Sequence, residues 1–482
     1  MLGVKNTDSA IGSYNSNHTY DKPLFSSLES KSMNYEGIAR NPVIFIHGFL
    51  GSTLIDKNSG KNVWGKFIGV ETLLGYSSEQ MYSLSHPMEY GRPLKEVKDN
   101  VVPENLLTNF DVNILGIHFH LAAYDKLLKI LEEGGYTQES KKMPENKNFN
   151  TLFTFYYDWR RDISESASKL HDFILKKRKY IQKEYQKLYG IENYDVQFDI
   201  LAHSMGGLLS RYYLRYGNQE LPENGSLPML NWGGKNNIDK LIIIGTPNAG
   251  YLDACTELVN GLQLVHHAPT YPPAVIGTFP SYYQMLPLLW TNSVIYSDDG
   301  SNVDLFNIQT WIDLKWGLLK PNQKKILNIL LPKIMSAKEK STIAYDHLEK
   351  CLIRAKQFTD AMQIQVPVPD DVSFFLFLGN AVKTSRTAEV NRSKGSIKIT
   401  KYEAGDGKVL TSSALMDQRE GQKWTPFLIS PLKWQAVVHL EAAHRGITEC
   451  PTFEDNILYY LLLAPSKKQE IKKKFLENLE IK

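Results

Sequence analysis

The sequence predicts an α/β fold in which a mostly parallel sheet is covered by helices, and three observations carry that prediction. Runs such as Val43–Ile46 and Leu241–Ile244 are apolar at every position, the pattern of strands buried on both faces. Between such runs lie stretches with apolar residues at helical spacing, and the runs empty into turns rich in Gly, Asp or Pro. Strand, turn and helix succeed one another along the chain, the order that builds parallel strands joined by helical crossovers.

Taken in order, Asn41 to Gly51 reads as a first core strand ending in a glycine-bracketed loop. Leu121 to Glu133 places Leu121, Tyr124, Leu127, Leu128 and Leu131 on one helical stripe, with Gly134-Gly135 as its stop. Thr151 to Tyr157 is the next strand; Asp158-Trp159-Arg160-Arg161-Asp162 follows it and leads into a basic helix from Ser164 to Tyr189, stopped by Gly190. A strand over Val196–Leu201 and a helix over Leu208–Leu214 flank Ser204. Ile238–Ile244 then runs into Gly245-Thr246-Pro247, and strands near Ser373–Gly379 and Gln435–Leu440 complete the alternation. Two segments fit no simple strand–helix step, at about residues 55–120 and 251–371; the second holds a helix from about Ser341 to Met362. They are expected to cap the strand ends, inserted into one domain over residues 41–465, between a flexible N-terminal segment (1–40) and a basic C-terminal helix or tail (466–482).

The chain has 482 residues, 42% hydrophobic and 22% charged, which suits a large buried core and excludes disorder of the whole. A net charge of +3 supplies no concentrated basic surface, so nucleic acid is not an expected partner. Cys255, Cys351 and Cys450 are odd in number and far apart; no disulfide framework or zinc site is indicated, and no metal or other cofactor is expected. Residues 1–40 lack the charged start and apolar segment of a secretory signal, and no run of about 18 apolar residues is present. The expected location is cytoplasmic, or external by a non-classical route, and protein partners are not indicated.

Asp199-Ile200-Leu201-Ala202-His203-Ser204-Met205-Gly206-Gly207 sets one serine at the turn between a strand and a helix, among small residues that permit a tight, strained backbone. That is a nucleophile elbow, with Ala202 in place of the usual first glycine. A serine hydroxyl needs a histidine to take its proton and a carboxylate to orient that histidine, in the chain order serine, acid, histidine. Asp406, in Gly405-Asp406-Gly407-Lys408-Val409, is the candidate acid. His444 is the preferred histidine because it follows the last strand in a loop that can reach back; His439 lies inside the strand and is the alternative. His203 is expected to pack beneath the turn and His47 to shape the first loop. Backbone N–H groups of Phe49 and Met205 are the candidate donors to a developing oxyanion. Tyr282, Tyr283, Met285, Leu286, Leu289 and Trp290 are candidates for an apolar lining, or equally for core packing.

The ordered set of segments resembles the lecithin:cholesterol acyltransferase-like lipases and acyltransferases. Pro42 to Ser52 is similar to their oxyanion loop, Tyr157-Asp158-Trp159-Arg160 to their post-strand motif and Ala202 to Gly207 to their elbow. Gly245 to Gly250, Thr278 to Pro287 and Gly405 to Val409 match successive family segments. The resemblance implies an α/β-hydrolase with large cap and lid insertions. It also implies a triad of Ser204, Asp406 and His444, oxyanion positions at Phe49 and Met205, and a lipid-ester substrate. The activity implied is a lipase, phospholipase A-type hydrolase or acyltransferase working through an acyl-enzyme. Lys408 stands where threonine is common, and pairing with Asp406 is one expectation for it. A soluble carboxylesterase or thioesterase, or a non-catalytic lipid-binding protein, are the competing readings. Ile471, Phe475 and Leu479 share a helical face in the lysine-rich tail, which suits membrane-surface contact as well as a plain solvated helix.

Overall fold

The computed structural model describes residues 38, 40–65, 75–107, 109–114, 117–122, 124–139, 143, 145, 147–264, 269–419, 428–464, 466–471 and 474, with the backbone alone for 109–114 and 117–122. The N-terminal segment expected over 1–40 and the tail over 466–482, with Phe475 and Leu479, therefore lie mostly outside the described residues.

The strands that place the site are β1 (Val43–Ile46), β2 (Leu152–Phe155), β3 (Phe198–His203), β4 (Ile238–Ile244), β5 (Ser373–Gly379), β6 (Val382–Val390), β7 (Ile397–Gly405) and β8 (Ala436–Leu440). The helices are α1 (Asp125–Glu133), α2 (Ile163–Tyr189), α3 (Met205–Tyr216), α4 (Leu252–Asn260), α5 (Ala337–Gln363) and α6 (Pro451–Leu462). Six strands form one sheet in the order β8-β5-β4-β3-β1-β2, and every neighbouring pair is parallel. Register sets Ala202 opposite both Ile46 and Ile243, so β1, β3 and β4 end level with one another. The chain runs outward from β1 to β2 and then crosses back to β3. The crevice at the ends of β1 and β3 is thus a topological switch point, where open α/β sheets bind ligands.

The two-residue strand period splits the core in two. Val43, Phe45 and Leu201 face α1 and α6, whereas Ile44, Ile46 and Ile200 face α2 and α3. Each such side chain is fully buried and contributes about 1.5–3 kcal/mol relative to exposure. Asp162 caps α2 by accepting from the Ser164 N–H at 2.7 Å and also accepts from Arg354 Nε on α5 at 2.8 Å, so one carboxylate fastens the second insertion to the sheet's helical layer.

Three local expectations are corrected. The helix expected from Leu121 begins at Asp125: Leu121 belongs to a strand, Ile117–Ala122, and Tyr124 at the N-cap has φ −143°, outside helical geometry. The long helix of the second insertion starts at Ala337, because Ser336 caps it by accepting from the Glu339 N–H. Between β5 and Asp406 stands an unforeseen antiparallel pair, β6 and β7. A strand of the second insertion, Val294–Tyr296, pairs in parallel with β6. The first insertion is built on a three-stranded antiparallel sheet, Asn62–Trp64, Ser52–Asp56 and Val101–Leu106. Among the described residues no helix is long and apolar enough to cross a membrane.

Candidate active site

Ser204 sits between the last residue of β3 and the first of α3, with φ +54° and ψ −124°, a conformation that costs on the order of 1–3 kcal/mol for a residue with a side chain. The turn closes because two glycines follow. A Cβ on Gly206 would lie 2.5 Å from the His47 carbonyl oxygen, and one on Gly207 would lie 1.9 Å from Thr246 Oγ1. Ala202 needs no such freedom, since its methyl packs in the core.

Ser204 Oγ–H donates to His444 Nε2 at 2.9 Å, and His444 Nδ1–H donates to Asp406 Oδ2 at 2.7 Å. Asp406 Oδ1 meanwhile accepts from the N–H groups of Lys408 at 2.9 Å and Val409 at 2.7 Å. Burial alone would raise the carboxyl's pKa, but the facing His444 and these donors outweigh it and hold the pKa below the usual aspartate value. Gly245, at φ +55°, leaves the space this pair occupies: a Cβ there would stand 3.2 Å from Asp406 Oδ2 and 3.3 Å from His444 Nδ1. His439, the alternative histidine, is exposed and its Nδ1 lies 3.3 Å from Asn380 Nδ2, away from Ser204.

Lys408 does not pair with Asp406 through its side chain. Its ammonium contacts Asp253 at 2.8 Å and Glu257 at 3.0 Å on α4, bolting that helix to the loop that carries the acid. Burial works against this cation, yet the two carboxylates carry its pKa above the ordinary lysine value. Glu257 also accepts from the Tyr282 hydroxyl, and burial pushes its own pKa up.

The first loop is held by His47. His47 Nδ1–H donates to the Gly48 carbonyl at 2.8 Å, and the Gly51 N–H reaches the same oxygen at 3.1 Å. Because a trans peptide is planar, fixing the Gly48 C=O fixes the Phe49 N–H on the opposite side of the same plane. Phe49's ring is wedged between Trp159 and Tyr282, at centroid distances of 4.9 and 4.8 Å. A Cβ on Gly48 would lie 2.8 Å from Ser204 Cβ, so this loop abuts the serine directly. Met205 opens α3, and its N–H is among the four that a helix cannot pair internally.

Ser204 and His444 open onto a cavity of about 240 Å³. Its apolar wall includes Phe49, Trp64, Leu107, Leu262 and Met285, drawn from the first loop and both insertions; Glu257, Lys408 and Arg445 form a polar side. Of the expected lining residues, Tyr282 and Met285 reach the wall. Tyr283 and Leu286 are core, Leu289 is exposed, and Trp290 donates to Gln363. Sequence reasoning missed Trp64, Tyr124 and Arg445. Among the described residues, no His, Cys, Asp or Glu group is arranged to hold a metal ion.

A six-stranded parallel sheet with a serine elbow at its switch point is the architecture of α/β-hydrolases. The family model described as lecithin:cholesterol acyltransferase matches residues 117–412, more than half of the chain, taking in Ser204 and Asp406 and stopping short of His444. The chain belongs to the lecithin:cholesterol acyltransferase family, whose enzymes are lipid-ester hydrolases and acyltransferases. Among solved structures, the crystal structure of the Tle4–Tli4 complex superposes over 90% of this chain and 98% of that one, with a TM-score of 0.54 at 12% identity, a likeness of fold. Bacillus licheniformis lipase BlEst2 aligns over 88% of this chain and 92% of its own, with a TM-score of 0.30 at 11% identity. A curated relative, Uncharacterized protein YJR098C of Saccharomyces cerevisiae, is 25% identical over 215 residues, 45% of this chain; the match spans only 26% of the yeast protein.

Proposed function

We propose that the protein is a serine-dependent lipid-ester hydrolase or acyltransferase, with Ser204 as nucleophile, His444 as general base and acid, and Asp406 as the carboxylate that orients His444. The observation that carries this reading is the unbroken relay from Ser204 Oγ through His444 to Asp406, opening onto an apolar cavity. His444 Nε2 takes the serine proton as Oγ attacks the ester carbonyl. The N–H groups of Phe49 and Met205 receive the oxyanion, and each such donor is worth about 2.7–4 kcal/mol in the barrier. His444 then protonates the leaving alcohol, and an acyl-enzyme remains on Ser204. Water as the second acceptor yields a free acid, the lipase or phospholipase outcome; a lipid alcohol yields a new ester. The wall residues supplied by both insertions support a role for them as a cap over the acyl group.

Labelling with a fluorophosphonate probe tests the nucleophile: the intact protein reacts, and Ser204→Ala does not. A series of esters of increasing chain length, with and without dispersed lipid, tests the substrate class. Rates that rise with chain length and at an interface support a lipid substrate, whereas preference for short soluble esters with no interfacial gain assigns the protein to the soluble esterases. Labelled phospholipid incubated with a long-chain alcohol separates hydrolysis from acyl transfer by the product formed.

A further inference from the structure

Beside Ser204, in the wall of the same cavity, runs a hydrogen-bonded chain that the reaction above does not use. His203 Nε2 is 3.1 Å from the carbonyl oxygen of His444, and since a carbonyl only accepts, that nitrogen carries the proton. A neutral imidazole has one N–H, so Nδ1 is the acceptor, and the Tyr124 hydroxyl 2.9 Å away donates to it. With its proton committed to His203, the Tyr124 oxygen accepts from the Gly48 N–H at 3.1 Å. Every bond in the series points the same way, from Gly48 to Tyr124 to His203 to His444. His444's backbone is held from its other side as well, its N–H donating to the Asp406 carbonyl at 2.7 Å.

We propose that His203 and Tyr124 are positioning residues that lock the loop carrying His444 to the loop carrying Phe49, so that base and oxyanion donor keep a fixed separation around Ser204. This rests on the catalytic roles proposed above. Neither residue need touch the reacting atoms. The relay has one workable direction: a proton on His203 Nδ1 would face the Tyr124 hydroxyl as a second donor and leave that hydroxyl's proton without its acceptor. The His444 carbonyl excludes the tautomer with its only proton on Nδ1, and burial suppresses the imidazolium that would carry both protons, drawing the His203 pKa down to about 3. Tyr124 is placed for this by the same helix start that the sequence obscures, since it precedes α1 with its ring edge against Phe45 at 4.9 Å.

Tyr124→Phe, His203→Gln and the double variant test the lock on a soluble short-chain ester. Tyr124→Phe keeps the ring and its packing, and His203→Gln sets an amide donor near the Nε2 position for the His444 carbonyl while removing the ring nitrogen, Nδ1, that accepts from Tyr124. Each single change should lower kcat about ten- to hundredfold, with KM within about twofold, as expected when reacting groups are slightly misplaced. The double variant should be no slower than the slower single, because both changes break one relay. Unchanged kcat in Tyr124→Phe, or losses that multiply in the double variant, would overturn the lock while leaving the serine mechanism standing. Absence of fluorophosphonate labelling in the unaltered protein would instead remove the mechanism on which the lock rests.

Discussion

Acidification should destabilise this protein well above the pH at which its carboxylates are protonated, through imidazoles buried in their neutral form. His47 and His347 are fully buried and His203 nearly so; burial draws their pKa values down to about 4, about 4 and about 3 from an ordinary 6.5. His86 is lowered in the same sense, by burial and by Arg161 and Arg160 beside it. Because the folded pKa lies below the unfolded one, the unfolded chain binds protons first, so stability is complete above about pH 6.5 and falls as pH drops toward the folded values. Each histidine then withdraws about 1.4 kcal/mol per pH unit once its unfolded form is protonated. At pH 5 the loss is about 2 kcal/mol apiece, or about 6 kcal/mol for the three with values, comparable to the whole stability of many domains. Glu257, with its raised pKa, opposes the trend with a single group at the acidic end. Urea unfolding at pH 7.5, 6 and 5 measures the slope. His347→Gln, which keeps a donor for the Thr278 carbonyl and lies outside the site, should flatten it by one histidine's share. Stability that is flat or rising between pH 7.5 and 5 would refute the assignment of these groups as neutral in the fold.

Three further outcomes follow from the geometry. Asp406→Asn retains an acceptor for the Lys408 and Val409 N–H groups but no longer fixes the tautomer of His444; kcat should fall by about 10⁴ with little change in melting temperature. Gly207→Ala drives a methyl into Thr246 and should cost about 1–3 kcal/mol or more in thermal unfolding, with activity lost in proportion to the displaced elbow. His439→Gln should leave kcat and KM unchanged, since that side chain is exposed and faces Asn380; a large loss would reopen the choice between the two histidines.

Much of this site was legible because its signals are local or ordinal. The elbow announces itself within nine residues, and the neighbouring Val43–Ile46 and Leu241–Ile244 are apolar throughout because the parallel sheet is covered on both sides. His444 was separable from His439 because strand and loop differ in what a side chain can reach. The hairpin before Asp406 was not legible: Val382–Val390 mixes buried, half-buried and exposed positions, Ile397–Gly405 is exposed or half-buried up to Gly405, and their polar sequence supplies no apolar run to mark them. The partners of Lys408 were hidden for another reason. Asp253 and Glu257 lie about 150 residues upstream, and nothing near Lys408 encodes that encounter. Tyr124 shows how a boundary shift changes a residue's role: read as part of an apolar helical stripe from Leu121 it is packing, but with the helix starting at Asp125 it stands at the N-cap and its hydroxyl reaches His203.

His203, expected to pack beneath the turn, and His47, expected to shape the first loop, are both buried, and that burial is what gives them their effect. An imidazole in water exchanges protons and tautomers and so points its hydrogen bonds in no lasting direction. Enclosed here, each is neutral and each has a carbonyl to receive its one N–H: His47 holds the peptide that carries the Phe49 N–H, and His203 holds the His444 loop. The desolvation that makes the fold sensitive to acid is therefore the same desolvation that fixes the direction of the bonds around Ser204. A variant that hydrates either pocket should lose acid sensitivity and orientation together, which makes the loss of stability at low pH a consequence of preorganising the site.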